Sequence, residues 1–321
     1  MEGQCGDGFH LRYFRFSFAS VKGLEFCPFT SLFRAQLLGF RRTDLPWAEG
    51  IRMSEIRWRL REKYGDWALV TGASAGIGLE FARAIAREGV SVVLAARRED
   101  RLNALAQEIR ETYRVEARVV AVDLAAVDGA DRLAQAVADL PIGILVNNAG
   151  FGYAGRFDRL ETERLRAMVR VNCEVPVVLT SRILPAMVQR GRGAVIVVGS
   201  VAGRQPLPLR AVYSASKAFD QIFGEALWGE LRGTGIDAIA IEPGPTKTEF
   251  QEVAGEVVGS NHGEPAENVV RVTFDSLGKQ PSVISGWFNW VRANFVRLVP
   301  RSTAAMIGKK VMEGQTPAEL R

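Results

Sequence analysis

Histidine and cysteine are scarce in this chain: two and three among 321 residues. His10 sits in an irregular N-terminal stretch and His262 in a loop between Gly259 and Gly263, so a Ser-His-Asp relay or a zinc-histidine centre has almost nothing to work with. Cys5, Cys27 and Cys173 form no CxxC spacing. That argues against a disulfide framework or a bound metal, and a cytoplasmic, reducing location is expected. No uninterrupted apolar run approaches the roughly 18–20 residues of a spanning helix. Arg12, Arg15, Lys22, Glu25 and Arg34 interrupt the layout of a signal peptide. Charge of one sign is also lacking: 41 basic against 36 acidic residues, spread along the chain, leave a net +5. That excess is too dispersed for a nucleic-acid face but suits an anionic small molecule.

What is present is a soluble globular composition, 47% hydrophobic and 24% charged. Residues 1–60 are rich in Phe and Gly without sustained periodicity and read as an extension, poorly structured. Met53-Ser54-Glu55 opens a helical pattern running toward the first strand, so Met53 reads as a start and 1–52 as upstream sequence; a targeting segment is the other reading. From Trp67 onward short apolar runs alternate with helical stretches. The strands are expected at Trp67–Thr71, Val90–Ala96, Ala117–Val122, Ile142–Val146, Gly193–Gly199 and Asp237–Ile241. The helices fall at Ile77–Glu88, Asp100–Tyr113, Asp128–Leu140, Glu161–Gln189 and Val212–Arg232. Such alternation predicts an α/β fold, a doubly wound, Rossmann-like parallel sheet in one domain over 61–285, with a C-terminal helical segment over 286–321 as a lid. Ligands of such sheets bind beyond the carboxyl ends of the strands, so the residues there carry the chemistry.

After the first strand comes Thr71-Gly72-Ala73-Ser74-Ala75-Gly76-Ile77-Gly78. Gly72 permits the tight turn, Gly76 lets the backbone approach a pyrophosphate, and Gly78 lets helix and strand pack closely; the helix N-terminus, at Ile77, offers N–H groups to phosphates. The second strand ends Ala95-Ala96-Arg97-Arg98, without the acid that would hold the ribose hydroxyls of NAD. Arg97 and Arg98 suit the 2′-phosphate of NADP instead, the alternative being two solvated arginines in a surface loop. Asp123, with Leu124 after the third strand, suits an adenine amino group or a simple turn. Asn147-Asn148-Ala149-Gly150 ends the fourth strand with residues small enough to admit a cofactor ring. In Tyr213-Ser214-Ala215-Ser216-Lys217 the phenol and ammonium share a helical face; a nearby ammonium favours the phenolate and makes Tyr213 a usable acid/base. Ser200, just past the fifth strand, could bind a carbonyl oxygen and aim it at Tyr213.

Thr71–Gly78, Asn147–Gly150, Ser200, Tyr213-x3-Lys217 and Pro243-Gly244 occur in the order and spacing of the short-chain dehydrogenase/reductase family, which residues 65–250 resemble. The resemblance implies that Tyr213 donates or accepts the proton, Ser200 orients the substrate oxygen, and Lys217 binds the nicotinamide ribose. It also implies that Asn172 holds a water linking Lys217 to solvent, and that Pro243, Gly244, Thr246 and Thr248 lie beside the nicotinamide. A homodimer or homotetramer follows from the same likeness. Ala75 departs from the pattern, because many NADP-using members carry a basic residue there. Residues 250–280, with Phe250, His262 and Phe274, are expected to form a substrate lid. That lid, with Phe151 and Tyr153, suggests an apolar carbonyl or alcohol: acyl, lipid-like or steroid-like. The competing readings are a dinucleotide-binding protein without chemistry and a structural or membrane-surface partner. In Ser282–Arg301, Val283, Trp287, Val291 and Phe295 recur every fourth residue. That predicts a helix packed on the core or closing the substrate pocket, with its aromatic stripe buried; a subunit interface and, least favoured, a membrane-surface helix are the alternatives.

Overall fold

Each short apolar run becomes a parallel strand because the helices between the runs cover both faces of the sheet. A computed structural model describes residues 58–255 and 263–321; the readings of Met53, of residues 1–52 and of His262 lie outside them. Helix α1 (Leu60–Tyr64) leads into β1 (Trp67–Thr71), α2 (Gly76–Arg87), β2 (Ser91–Ala96), α3 (Glu99–Tyr113), β3 (Ala117–Ala121), α4 (Gly129–Ala136) and β4 (Ile142–Asn147). The second half holds α5 (Thr162–Val169), a π turn (Arg170–Glu174), α6 (Val175–Arg190), β5 (Gly193–Val198), α7 (Ala211–Glu230) and β6 (Ile236–Glu242). Then come α8 (Phe250–Val253), α9 (Ala266–Ser276), β7 (Ser282–Ile284), α10 (Trp287–Phe295) and α11 (Arg301–Glu313).

The seven strands are parallel, in the order β3-β2-β1-β4-β5-β6-β7, which is the doubly wound sheet expected. The order reverses between β1 and β4, so the binding crevice opens at their carboxyl ends. Successive residues of a strand face opposite sides. Ala68 and Val70 pack with Phe81 and Ile85 of α2 and Leu102 of α3, whereas Leu69 and Val195 pack with Leu133 of α4 and Leu179 and Met187 of α6. The helix spanning Thr162–Arg190 is long and apolar enough to cross a membrane by length and composition, but here it buries Val171, Val175, Leu179, Ile183 and Met187 against the sheet.

Four details differ from the sequence reading. The packed chain already includes Trp58 and Leu60, inside the expected extension. Trp58 packs at a tilt against Phe274, ring centres 5.0 Å apart, and its Nε1 donates to Asp275 at 2.9 Å, while Leu60 is buried. Phe274 is not a lid residue: Val270 and Phe274, four apart on α9, form an apolar helical face against α2, with Phe274 edge-on to Phe81 at 5.6 Å. Val283 and Ile284 form the short seventh strand expected from the family likeness, so Val283 leaves the stripe, and Gly286 (φ 80°) separates the strand from α10. The expected burial of the aromatic stripe is wrong: Trp287 is 70% exposed, Phe295 63% and Leu298 80%. Helix α10 turns Ala293 inward instead, where it lines the cleft.

Candidate active site

Thr71 and Asn148 tie the tips of β1 and β4 together at the point where the strand order reverses. The Thr71 hydroxyl donates to the Val146 carbonyl (3.1 Å) and accepts from the Asn148 and Ala149 N–H groups (3.0 Å each). Asn148 Nδ2 donates to the Thr71 carbonyl at 2.8 Å. This clamp holds the glycine turn against β4. A Cβ on Gly78 would sit 2.4 Å from the Gly72 oxygen, so Gly78 is required by packing and lies behind the surface. Gly72 and Gly76 adopt φ 68° and 58°, the left-handed region glycine tolerates. The first turn of α2 has no side-chain cap and no acid, leaving N–H groups and the dipole's positive end for an anion.

A cleft of about 500 Å³ runs along the carboxyl ends of the strands. Gly72, Ser74, Gly76, Ile77, Arg97 and Arg98 line one end, and Asp123, Leu124, Asn148, Ala149 and Gly150 continue it. Arg98 donates to Ser74 Oγ (3.1 and 3.2 Å) and to Glu249 (2.7 Å), which also accepts from Arg101 at 2.7 Å. These two arginines hold the Glu249 carboxyl below the usual carboxylate range. Asp123 Oδ1 accepts from the Ala125 N–H at 3.0 Å, a local turn at the cleft's edge.

In the middle of the cleft, Tyr213 and Lys217 are both buried on the first turns of α7, and the two interact electrostatically. Lys217 Nζ donates to the Val198 carbonyl and to Asp220, each at 2.8 Å, leaving one of the ammonium's three N–H donors beyond these bonds. Burial disfavours the ammonium most strongly of any single cause, but the Asp220 carboxylate and the Tyr213 phenol together outweigh it and raise the Lys217 pKa. A Cβ on Gly150 would stand 3.4 Å from that Nζ and 3.2 Å from Asn172 Oδ1, so this glycine keeps the space beside Lys217 open.

Asn172 lies beneath the cleft floor, in the π turn. Its Nδ2 donates to the Phe151 carbonyl (3.1 Å) and to Ser216 Oγ (2.9 Å), and its Oδ1 accepts from the Phe151 N–H at 3.1 Å. Pro176 cannot supply the N–H that an α-helix would give to the carbonyl of Asn172, which is one reason the helix widens here. Ser200 Oγ accepts from the Ala202 N–H at 3.1 Å and reaches the Pro243 carbonyl at 3.4 Å. Gly203 presses on α7, where a Cβ would meet the Ala218 nitrogen and Lys217 carbonyl carbon at 2.6 Å; it fixes Ser200 relative to Tyr213. Pro243, Gly244, Thr246 and Thr248 line the cleft opposite the glycine turn, with the Thr248 methyl close to Gly76.

The C-terminal helices close the far end, as expected of a helical lid, but sequence reasoning did not name the residues that line it. Gln205, Leu207 and Arg210 line it together with Asn289, Arg292, Met312 and Gln315. Arg210 donates to Gln315 at 3.1 Å across 105 residues of sequence, and no local pattern signals such a contact. Phe151 and Phe250 line the cleft, but Tyr153 does not; Arg164 covers its ring at 4.1 Å. Asp220 and Ser216 were also missed, although their spacing from Lys217 and Tyr213 on α7 was a usable signal. The buried Arg204–Glu242 pair, which joins the turn after Ser200 to the end of β6, carried none. No cluster of His, Cys, Asp and Glu among the described residues could hold a metal ion.

A twisted parallel sheet with a glycine turn, a Tyr-Lys pair and a serine converging on its carboxyl edge defines a dinucleotide-dependent oxidoreductase. The short chain dehydrogenase family model matches residues 66–257, and the chain belongs to that family, whose members act on C=O and CH–OH groups. Among curated relatives, the human very-long-chain 3-oxoacyl-CoA reductase is 32% identical over 77% of this chain and 83% of its own. The 7beta-hydroxysteroid dehydrogenase of Collinsella aerofaciens is 36% identical over 72% and 89%. A solved 7beta-hydroxysteroid dehydrogenase superposes with a TM-score of 0.73 at 33% identity, covering 78% of this chain and 98% of that one. A short-chain dehydrogenase from Sphingobium yanoikuyae in complex with NADPH gives 0.65 at 29% identity, covering 75% and 98%.

Proposed function

We propose that the enzyme uses NADP(H) to interconvert a bulky, apolar ketone or aldehyde and its alcohol, with Tyr213 as acid/base. The observation that carries this reading is the buried Tyr213–Lys217 pair in the same cleft as the glycine turn, with Lys217 anchored by Val198 and Asp220. When bound, the nicotinamide supplies or accepts the hydride. In the reducing direction Tyr213 gives its phenolic proton to the substrate oxygen, Ser200 hydrogen-bonds that oxygen, and the remaining N–H of Lys217 faces the ribose. Asn172 holds the floor of the site through Phe151 and Ser216, on the path by which a proton returns to Tyr213. Arg98, with Arg97, receives the 2′-phosphate beside Ser74; the solved NADPH complex of a family member is consistent with this choice. Phe151, Leu207, Phe250 and Met312 supply an apolar wall, and the relatives named for acyl-CoA and hydroxysteroid chemistry support acyl or steroid-like substrates.

The test is absorbance-monitored NADPH consumption against a panel of 3-oxoacyl thioesters, steroid ketones and small polar ketones, repeated with NADH. Turnover of the bulky apolar members with a clear preference for NADPH is expected. Equal use of NADH, or activity confined to small polar ketones, would remove the corresponding part of the assignment.

A further inference from the structure

Helices α10 and α11 present opposite characters on their two sides. Inward, Asn289, Arg292, Ala293 and Met312 wall the far end of the cleft, and Ala304 and Gly308 pack close to the body, where Gly308 lies against the Pro206 carbonyl. Outward, the same helices expose Trp287, Phe288, Trp290, Phe295, Met306 and Ile307. Isolated exposed apolar residues are ordinary, but a run of large aromatic ones beside a ligand cleft marks a contact surface.

The charge on these two helices is mostly of one sign. Arg292, Arg301, Lys309 and Lys310 are basic, and the one acid on either helix, Glu313, ends α11 against Lys309 at 3.8 Å. Exposed Trp and Phe flanked by Lys and Arg are the composition of a helix lying in the headgroup layer of a bilayer, where apolar burial and attraction to anionic lipid act together. A second copy of this chain fits less well. A twofold interface would bring the same basic patch against itself, and like charges at an interface core are unfavourable.

We propose that α10 and α11 dock the enzyme reversibly on an anionic membrane surface. The cleft's substrate end then stands at the lipid boundary, where an apolar carbonyl compound can enter without crossing water. The purpose assigned to docking rests on the proposed substrate class; the docking itself is read without substrate or turnover.

The test is co-sedimentation of the purified full chain with phosphatidylcholine vesicles, with and without phosphatidylserine, at physiological salt. Sedimentation with the phosphatidylserine vesicles is expected, weakening as salt rises. Trp287→Ser with Phe295→Ser should lower the bound fraction at least about tenfold, and Lys309→Glu with Lys310→Glu several-fold. Neither pair lines the cleft, so melting temperature and turnover of a water-soluble carbonyl should stay as in the parent. The proposal is overturned if the parent stays in the supernatant with both vesicle types, or if the aromatic substitutions leave sedimentation unchanged. It is equally overturned if light scattering shows a dimer that those substitutions dissociate while vesicles bind nothing, which would assign the surface to a second copy.

Discussion

The end of the cleft at β1 and β4 and the end walled by α10 and α11 are built differently. At the first, Thr71 and Asn148 lock the strand tips through short bonds between residues adjacent in the sheet, and glycines are packed to the limit of contact. At the second, the wall comes from the chain's last helices, which meet the start of α7 through Arg210 to Gln315 and through Met312 packed with Tyr213. Its outer side remains exposed. A rigid end suits an invariant dinucleotide; an end assembled from a separate segment can change with the substrate while the chemistry stays in place.

The largest effect should come from the junction of the two ends. Lys217→Ala removes a positioning charge and leaves Asp220 buried without its partner, a loss of about 3–5 kcal/mol. Melting should fall on the order of 10 °C, with turnover reduced at least about 10²-fold. Adding Asp220→Asn to that variant should restore much of the stability and none of the turnover. Calorimetry together with steady-state assay separates the two. Gly203→Ala follows: a Cβ 2.6 Å from the α7 backbone must push the Ser200 turn away from Tyr213. A displacement of that kind costs on the order of 10²-fold in kcat, with NADPH affinity retained in a fluorescence titration.

Gln315→Leu acts only on the second end. Breaking the bond from Arg210 should raise KM for a bulky carbonyl by about fivefold, leaving kcat and NADPH affinity near parental values. Equal changes at both ends would break the contrast drawn above. Glu249→Gln sharpens it from the other side. The carboxylate competes with a 2′-phosphate for Arg98, and its removal should tighten NADPH binding by up to about fivefold, the scale of an exposed ion pair, without altering NADH binding. The smallest effect concerns Cys173. Burial, helped by the Asp220 carboxylate, pushes its thiol up to about 11. It should therefore resist iodoacetamide at neutral pH in the native protein and react on unfolding, read by peptide mass spectrometry.

The same division governs how much the sequence reveals. The sheet, its strand ends and the glycine turn follow from local apolar runs and from residues whose backbone needs are specific, such as Gly72 and Gly76. Tyr213 and Lys217 are legible because four residues on a helix is a fixed geometry. Asp220 obeys the same geometry. The second end depends on contacts between distant segments, so Arg210, Gln315 and the buried Arg204–Glu242 pair left no local trace. Periodicity misled at the Trp287 stripe, because an apolar repeat shows which side of a helix is uniform, not what covers it; the lid placement of Phe274 came from the family likeness instead. The Phe274 face is covered by α2, whereas the face bearing Trp287 and Phe295 has no such cover among the described residues.

The central claim is that Tyr213 supplies the proton within a site whose cofactor end is independent of it. Tyr213→Phe removes one oxygen from a ring held by Phe250 at 5.5 Å and leaves the glycine turn untouched. NADPH affinity, measured by fluorescence, should stay within about twofold of the parent, while carbonyl turnover falls at least about 10²-fold. Turnover near the parental rate in a variant that still binds NADPH would contradict the account.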